Sequence, residues 1–161
     1  MNKLKDIGGK IWTGIKDFGG KIWTGIKGYG PQFMEGFRTI ANAFRANNPL
    51  SRPLEPGEFH YGYHNYTGPG TRIDLHPNAP PINHIDAASR AHDIDYANAE
   101  KIKDSLLRAR AIHAADEKAV KEYTKYKNED GYKPAVLGIA GKWGAEQALS
   151  YYKGKPSTFY G

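Results

Sequence analysis

Asp86-Ala-Ala-Ser-Arg-Ala-His92-Asp93-Ile-Asp-Tyr96 reads as a helix that carries an imidazole, a carboxylate and a phenol hydroxyl side by side. His92 and Tyr96 stand four residues apart and Asp93 and Tyr96 three, so a helical backbone projects all three from one side. Asp86 is placed to cap this helix, alanines fill its first turn, and Ala97, Ala99, Ile102, Leu106 and Leu107 continue the helical spacing. The constellation is thereby expected on a rigid element.

A neutral imidazole takes a proton from water near pH 7, because its ordinary pKa lies close to that range. Asp93 beside it can orient the ring or hold a hard cation. Calcium wants six to eight oxygens, many of them backbone carbonyls. Tyr66-Thr67-Gly68-Pro69-Gly70 is a tight turn whose two glycines can adopt positive φ and swing carbonyls to one side. A His-Asp pair alone is ordinarily a solvated pair, and a Thr-Gly-Pro-Gly stretch alone is ordinarily a turn. The conjunction of the two points to chemistry.

Tyr66-x-Gly68-x-Gly70 followed by His92-Asp93-x-x-Tyr96 resembles the calcium loop and catalytic helix of phospholipase A2. With Asp86-Ala-Ala ahead of His92-Asp93, the pattern most resembles the phospholipase A2 domain in the minor capsid protein of parvoviruses. Secreted phospholipases A2 are rich in disulfides, and this chain has no cysteine, which favours the viral branch. The resemblance covers roughly residues 54–127. It implies that the carbonyls of Tyr66, Gly68 and Gly70 and the carboxylate of Asp93 hold one calcium ion. His92 would be the general base that activates water, and calcium with the Gly68 amide would stabilise the oxyanion of the sn-2 ester. The resemblance also asks for a second aspartate to orient the histidine. Asp116, in Ala115-Asp116-Glu117, sits in the matching place, and Tyr96 would donate its hydroxyl to it. The plain alternative for Asp116 is a helix cap.

The resemblance implies a mainly α fold: a small phospholipase A2-like core with an antiparallel helix pair and a calcium loop, preceded by an amphipathic arm. From the residues alone, helices are expected over about 86–110 and 114–127, with a break at Ile112-His113. His113 would then be a connection residue. An antiparallel pair brings Asp116 back toward His92. A last helix is expected from Pro134 to about Tyr152, with Gly138, Gly141 and Gly144 allowing close helix approach. Residues 59–66 are rich in His and Tyr; His60 and His64 lack a cluster of metal ligands around them and read as packing and pocket lining. The proline-rich stretch 74–84 is expected to form an irregular loop at the mouth of the lipid site.

The charge is uneven. Residues 1–53 hold nine basic and three acidic side chains, whereas 54–127 hold ten and eleven. The basic character thus belongs to the N-terminal arm. There Asp6-Ile-Gly-Gly-Lys-Ile-Trp-Thr-Gly-Ile-Lys16 recurs as Asp17-Phe-Gly-Gly-Lys-Ile-Trp-Thr-Gly-Ile-Lys27. Eleven residues make very nearly three helical turns, so each copy presents the same Trp and Ile face with lysines opposite. Each glycine costs about 1 kcal/mol in a helix interior, so the arm is expected to be helical chiefly where that face is buried. It suits an anionic phospholipid surface, or docking on another capsid protein; nucleic acid is the weaker third partner. No apolar run reaches the length of a membrane span, and the N-terminus lacks the compact apolar segment of a secretory signal.

The expected organisation is an arm over residues 1–46, a linker over 47–57, the phospholipase A2-like domain over 58–152 and a flexible tail over 153–161. The function the resemblance implies is calcium-dependent hydrolysis of phospholipids by a virion component that breaches the host endosomal membrane. The alternative is a structural minor capsid protein whose arm disrupts membranes with little catalysis.

Overall fold

The structure is a computed structural model that describes residues 30–155. The repeats of the arm and most of the expected tail lie outside the described residues. Two units are distinguished, Met1–Ile40 and Ala41–Gly161. The described residues form four helices and no strand: α1 (Gly30–Arg45), α2 (His84–Glu100), α3 (Ser105–Thr124) and α4 (Tyr132–Lys153). The mainly α class expected from the sequence therefore holds. None of these helices is long and apolar enough to cross a membrane.

In the second unit α2 and α3 form an antiparallel hairpin, as their pairing register shows: Ser89 meets Tyr123 and His92 meets Asp116. The buried positions of α3, among them Ala109, Ile112, Asp116, Ala119 and Tyr123, recur at three and four residues and make one stripe. Alanines on both helices keep the contact close. Ile85, Ala88, Ala119, Tyr123, Ala135 and Ile139 form the core shared with α4. Ile85 and Ile112 are fully buried, each contributing about 2 kcal/mol by removal from water.

The helix ends differ from the expected ones, for local reasons. The break falls at 101–104, because the Asp104 side chain accepts from Leu107 N–H and caps α3. Ile112 and His113 therefore lie inside α3, and His113 is no connection residue. Asn83, not Asp86, caps α2: its side chain accepts from the Asp86 N–H. α4 begins at Tyr132, two residues before Pro134, behind Gly131 in a left-handed conformation. Gly138, Gly141 and Gly144 face open space, so they are not sites of helix contact.

Residues 47–57 are tied to the chain on both sides of them. The buried Arg45 guanidinium donates to the carbonyls of Arg52, Gly62 and His64 and to Asn65 Oδ1. Arg52 makes a bidentate pair with Glu58, both bonds at 2.7 Å, and Leu54 is buried. Of the expected loop 74–84, residues 74–83 are irregular and His84 already belongs to α2; the stretch is held by Tyr66 and Arg90 through carbonyls of His76, Ala79 and Pro77.

Candidate active site

A cavity of about 600 Å³ opens between the 66–70 loop, α2 and α4. His92, Asp93 and Tyr96 reach it from α2, Tyr123 from α3, and Pro134, Gly138 and Lys142 from α4. The helical spacing of α2 accounts for the first three. None of residues 74–84 lines this cavity, so that loop is not its mouth.

His92 Nε2 lies 2.8 Å from Asp116 Oδ1. A carboxylate only accepts, so Nε2 carries the proton and the neutral ring presents its lone pair at Nδ1. Nδ1 faces Asp93, whose Oδ1 stands 3.9 Å away, beyond hydrogen-bonding reach. Tyr96 donates its hydroxyl to the same Asp116 oxygen through a very short hydrogen bond. Asp116 Oδ2 accepts from Lys142 Nζ at 2.9 Å. Asp116 is therefore no helix cap; it sits fully buried in the middle of α3.

Burial works against the charge on Asp116, but hydrogen bonds from His92, Tyr96 and Lys142 outweigh it and hold the carboxyl below its ordinary pKa. For His92, burial favours the neutral ring, and the carboxylates of Asp116 and Asp93 outweigh it, raising the pKa. Burial pushes the Asp93 carboxyl above its ordinary value. Its Oδ2 is buried and has no hydrogen-bond donor.

The loop opposite is shaped by close backbone contact. Phe59 N–H donates to Pro69 C=O at 3.0 Å and Tyr61 N–H to Thr67 C=O at 2.8 Å. Gly68 (φ +149°) is caught between: a Cβ there would lie 1.8 Å from the Phe59 carbonyl oxygen. Gly70 (φ +80°) backs onto Gly57 in the same way, at 2.2 Å. The glycines thus serve close approach as well as positive φ. The carbonyls of Tyr66 and Gly68 converge, because the Thr71 hydroxyl lies 3.4 Å from one and 3.3 Å from the other.

Asp86 fastens this loop to α2. Its carboxylate, wholly buried, accepts from the N–H groups of Asn65, Tyr66, Thr67 and Ile82 and from the Thr67 hydroxyl. One helix therefore carries the loop's anchor at 86 and the cavity-lining groups at 92 and 93. Sequence reasoning missed this role and that of Lys142. The signal for Lys142 was available: buried positions of α4 run Ala135, Ile139, Glu146 and Leu149, and Lys142 falls on that same three-and-four spacing. Polar residues at core positions mark such sites.

The donor set suits a hard cation. The loop offers converging carbonyls, and Asp93 adds a buried oxygen without a donor. Among the described residues no group of three or more His, Cys, Asp or Glu side chains is gathered to hold a metal, so an ion here would draw on backbone oxygens. His60 and His64 are buried packing residues and do not line the cavity.

A family model described as a phospholipase A2-like domain matches residues 58–137. Neither the curated proteins nor the solved structures yield a match.

Proposed function

We propose, from the premise that residues 58–137 belong to the phospholipase A2-like domain family, a family of phospholipase-type hydrolases, that this chain is a calcium-dependent phospholipase A2. The observation that carries the reading is the pair His92 and Asp116, joined at 2.8 Å at the wall of a cavity that also presents Asp93 and the glycine loop.

In this reading His92 Nδ1 takes a proton from water as the water oxygen bonds to the sn-2 carbonyl carbon. Asp116, bound to Nε2–H, stabilises the imidazolium, and Tyr96 holds that carboxylate in place. His92 then returns the proton to the departing glycerol oxygen as the sn-2 C–O bond breaks, leaving lysophospholipid and a fatty acid. Phe59, Tyr61, Tyr123, Ala135 and Ile139 give the cavity the apolar wall an acyl chain needs. The Tyr66, Gly68 and Gly70 carbonyls with Asp93 would hold calcium. A calcium ion held there would supply Lewis-acid stabilisation of the charge developing on the carbonyl oxygen of the ester. The Gly68 amide is assigned to the same charge, a role that is ordinarily worth about 3–4 kcal/mol for one donor.

The biological setting we infer is a viral minor capsid component that breaches the host endosomal membrane. Its support is the parvovirus-type family and the basic, Trp-containing arm. The partners are then a phospholipid surface and other capsid proteins, with the organisation into arm, linker, domain and tail as read from the sequence.

The test is release of sn-2 fatty acid from mixed phospholipid vesicles, with calcium and with excess chelator, using Asp93→Asn as control. Release that needs calcium and is lost in the variant is expected. Equal release under chelation, or from Asp93→Asn, would overturn the calcium assignment, and no release in calcium would overturn the enzyme.

A further inference from the structure

Asp116 has a partner that lies beyond the segment matched by the family. Lys142, on the second turn of α4 after residue 137, places Nζ 2.9 Å from Asp116 Oδ2 and 2.8 Å from Glu146 Oε2. Both carboxylates are wholly buried. The ammonium also lies 5.1 Å from the centre of the Tyr96 ring, whose hydroxyl is on the other oxygen of Asp116. Glu146 in turn stands 3.6 Å from His113 Nε2.

The geometry has two consequences. His92 and Tyr96 hold only Oδ1 of Asp116, and a carboxylate held at one oxygen can turn about its Cβ–Cγ bond. Lys142 at Oδ2 stops that rotation and keeps Oδ1 aimed at Nε2. Two buried carboxylates facing one another also repel, and one cation between them offsets this. Lys142 also lines the cavity, with its Nζ engaged by both carboxylates.

We propose that Lys142, held by Glu146, is a positioning residue that fixes the Asp116 carboxylate against His92, making α4 a part of the reaction's machinery. The proposal rests on the phospholipase reading for its kinetic consequence only; the orientation of His92 is independent of it.

The test compares the full chain with Lys142→Met and Lys142→Arg, measuring kcat and KM on vesicles and the NMR signals of the His92 ring nitrogens and the Nε2 proton. Lys142→Met is expected to lower kcat about 10- to 100-fold, the usual cost of losing a partner that orients a functional side chain, with KM within about twofold. It should also shift the His92 Nε2 proton signal. Lys142→Arg should restore most of both. A folded Lys142→Met protein with unchanged kcat and an unchanged His92 signal overturns the proposal, as does a rise in KM at constant kcat, which would make Lys142 a substrate-binding cation. Should Lys142→Met fail to fold, Lys142→Met combined with Glu146→Gln removes the second carboxylate that Lys142 holds. The same kcat loss there supports the proposal, and wild-type kcat overturns it. If the unmodified chain hydrolyses nothing, the phospholipase reading fails, and the His92 signal in Lys142→Met still decides the role of Lys142.

Discussion

Replacing Asp86 by Asn keeps the shape of the side chain and removes its capacity to accept on both sides. Oδ1 receives Tyr66 N–H at 2.8 Å, Thr67 N–H at 3.0 Å and the Thr67 hydroxyl at 3.1 Å; Oδ2 receives Asn65 N–H at 2.9 Å and Ile82 N–H at 3.0 Å. An asparagine would keep its oxygen on the three-donor side and set its NH₂ against two buried backbone donors. Two hydrogen bonds to a charged acceptor are then lost, at about 1.5–3 kcal/mol each, or about 3–6 kcal/mol in all. That is a large share of the roughly 5–15 kcal/mol that holds an ordinary domain together. We expect a fall in Tm on the order of 10 °C or more, and a matching fall in urea midpoint at constant m. Amide exchange should quicken first at Asn65, Tyr66 and Thr67, because these donors lose their acceptor. Asp95→Asn on the same helix is the control: its partner Lys118 is largely exposed, so the loss should be at most about 1 kcal/mol. If Asp86→Asn costs no more than Asp95→Asn and leaves exchange in the loop unchanged, Asp86 is not what fastens the loop.

Gly68→Ala should displace the loop, since its Cβ meets the Phe59 carbonyl oxygen at 1.8 Å, and calcium affinity by titration calorimetry should fall at least tenfold; unchanged affinity would remove the Gly68 carbonyl from the ligand set. His92→Ala should abolish fatty acid release while leaving the circular dichroism spectrum and Tm nearly intact, and surviving turnover would sink the general-base role. For Glu58, burial opposes the charge, but the bidentate Arg52, His60 and the N–H groups of Arg72 and Glu55 outweigh it and hold its pKa well below the ordinary value. A depressed carboxyl contributes stability that is present above its unfolded pKa of about 4.3 and is lost as pH falls below that. Glu58→Gln should therefore be less stable at pH 7 and flatter in its acid unfolding curve, and a curve as steep as the parent's would contradict this. Trp12 and Trp23 replaced together by Ala should weaken vesicle binding without changing hydrolysis of a soluble ester; undiminished binding would move the arm to docking on protein.

What the sequence determined by itself was local. His92, Asp93 and Tyr96 share one side of α2 because helical geometry repeats every three to four residues, and the period survives whatever packs against it. The two glycines of the 66–70 loop were legible because few other residues tolerate such backbone; that they sit against Phe59 and Gly57 was not. The helix break at 101–104 was misplaced because Asp104 resembles any charged residue on a helix until its carboxylate meets the Leu107 N–H. Only the tertiary structure decided the long-range partners. Asp86 looks like a cap in one dimension and becomes the loop's anchor when residues 65–67 fold back onto it. Asp116 is 24 residues from His92 along the chain and 2.8 Å away in the hairpin. Lys142 and Glu146 lie on the buried stripe of α4, but that Asp116 is the group they meet is decided only when α3 and α4 pack together. A buried charge takes its partner from wherever the fold supplies one, and sequence distance does not enter the Coulomb energy that joins them.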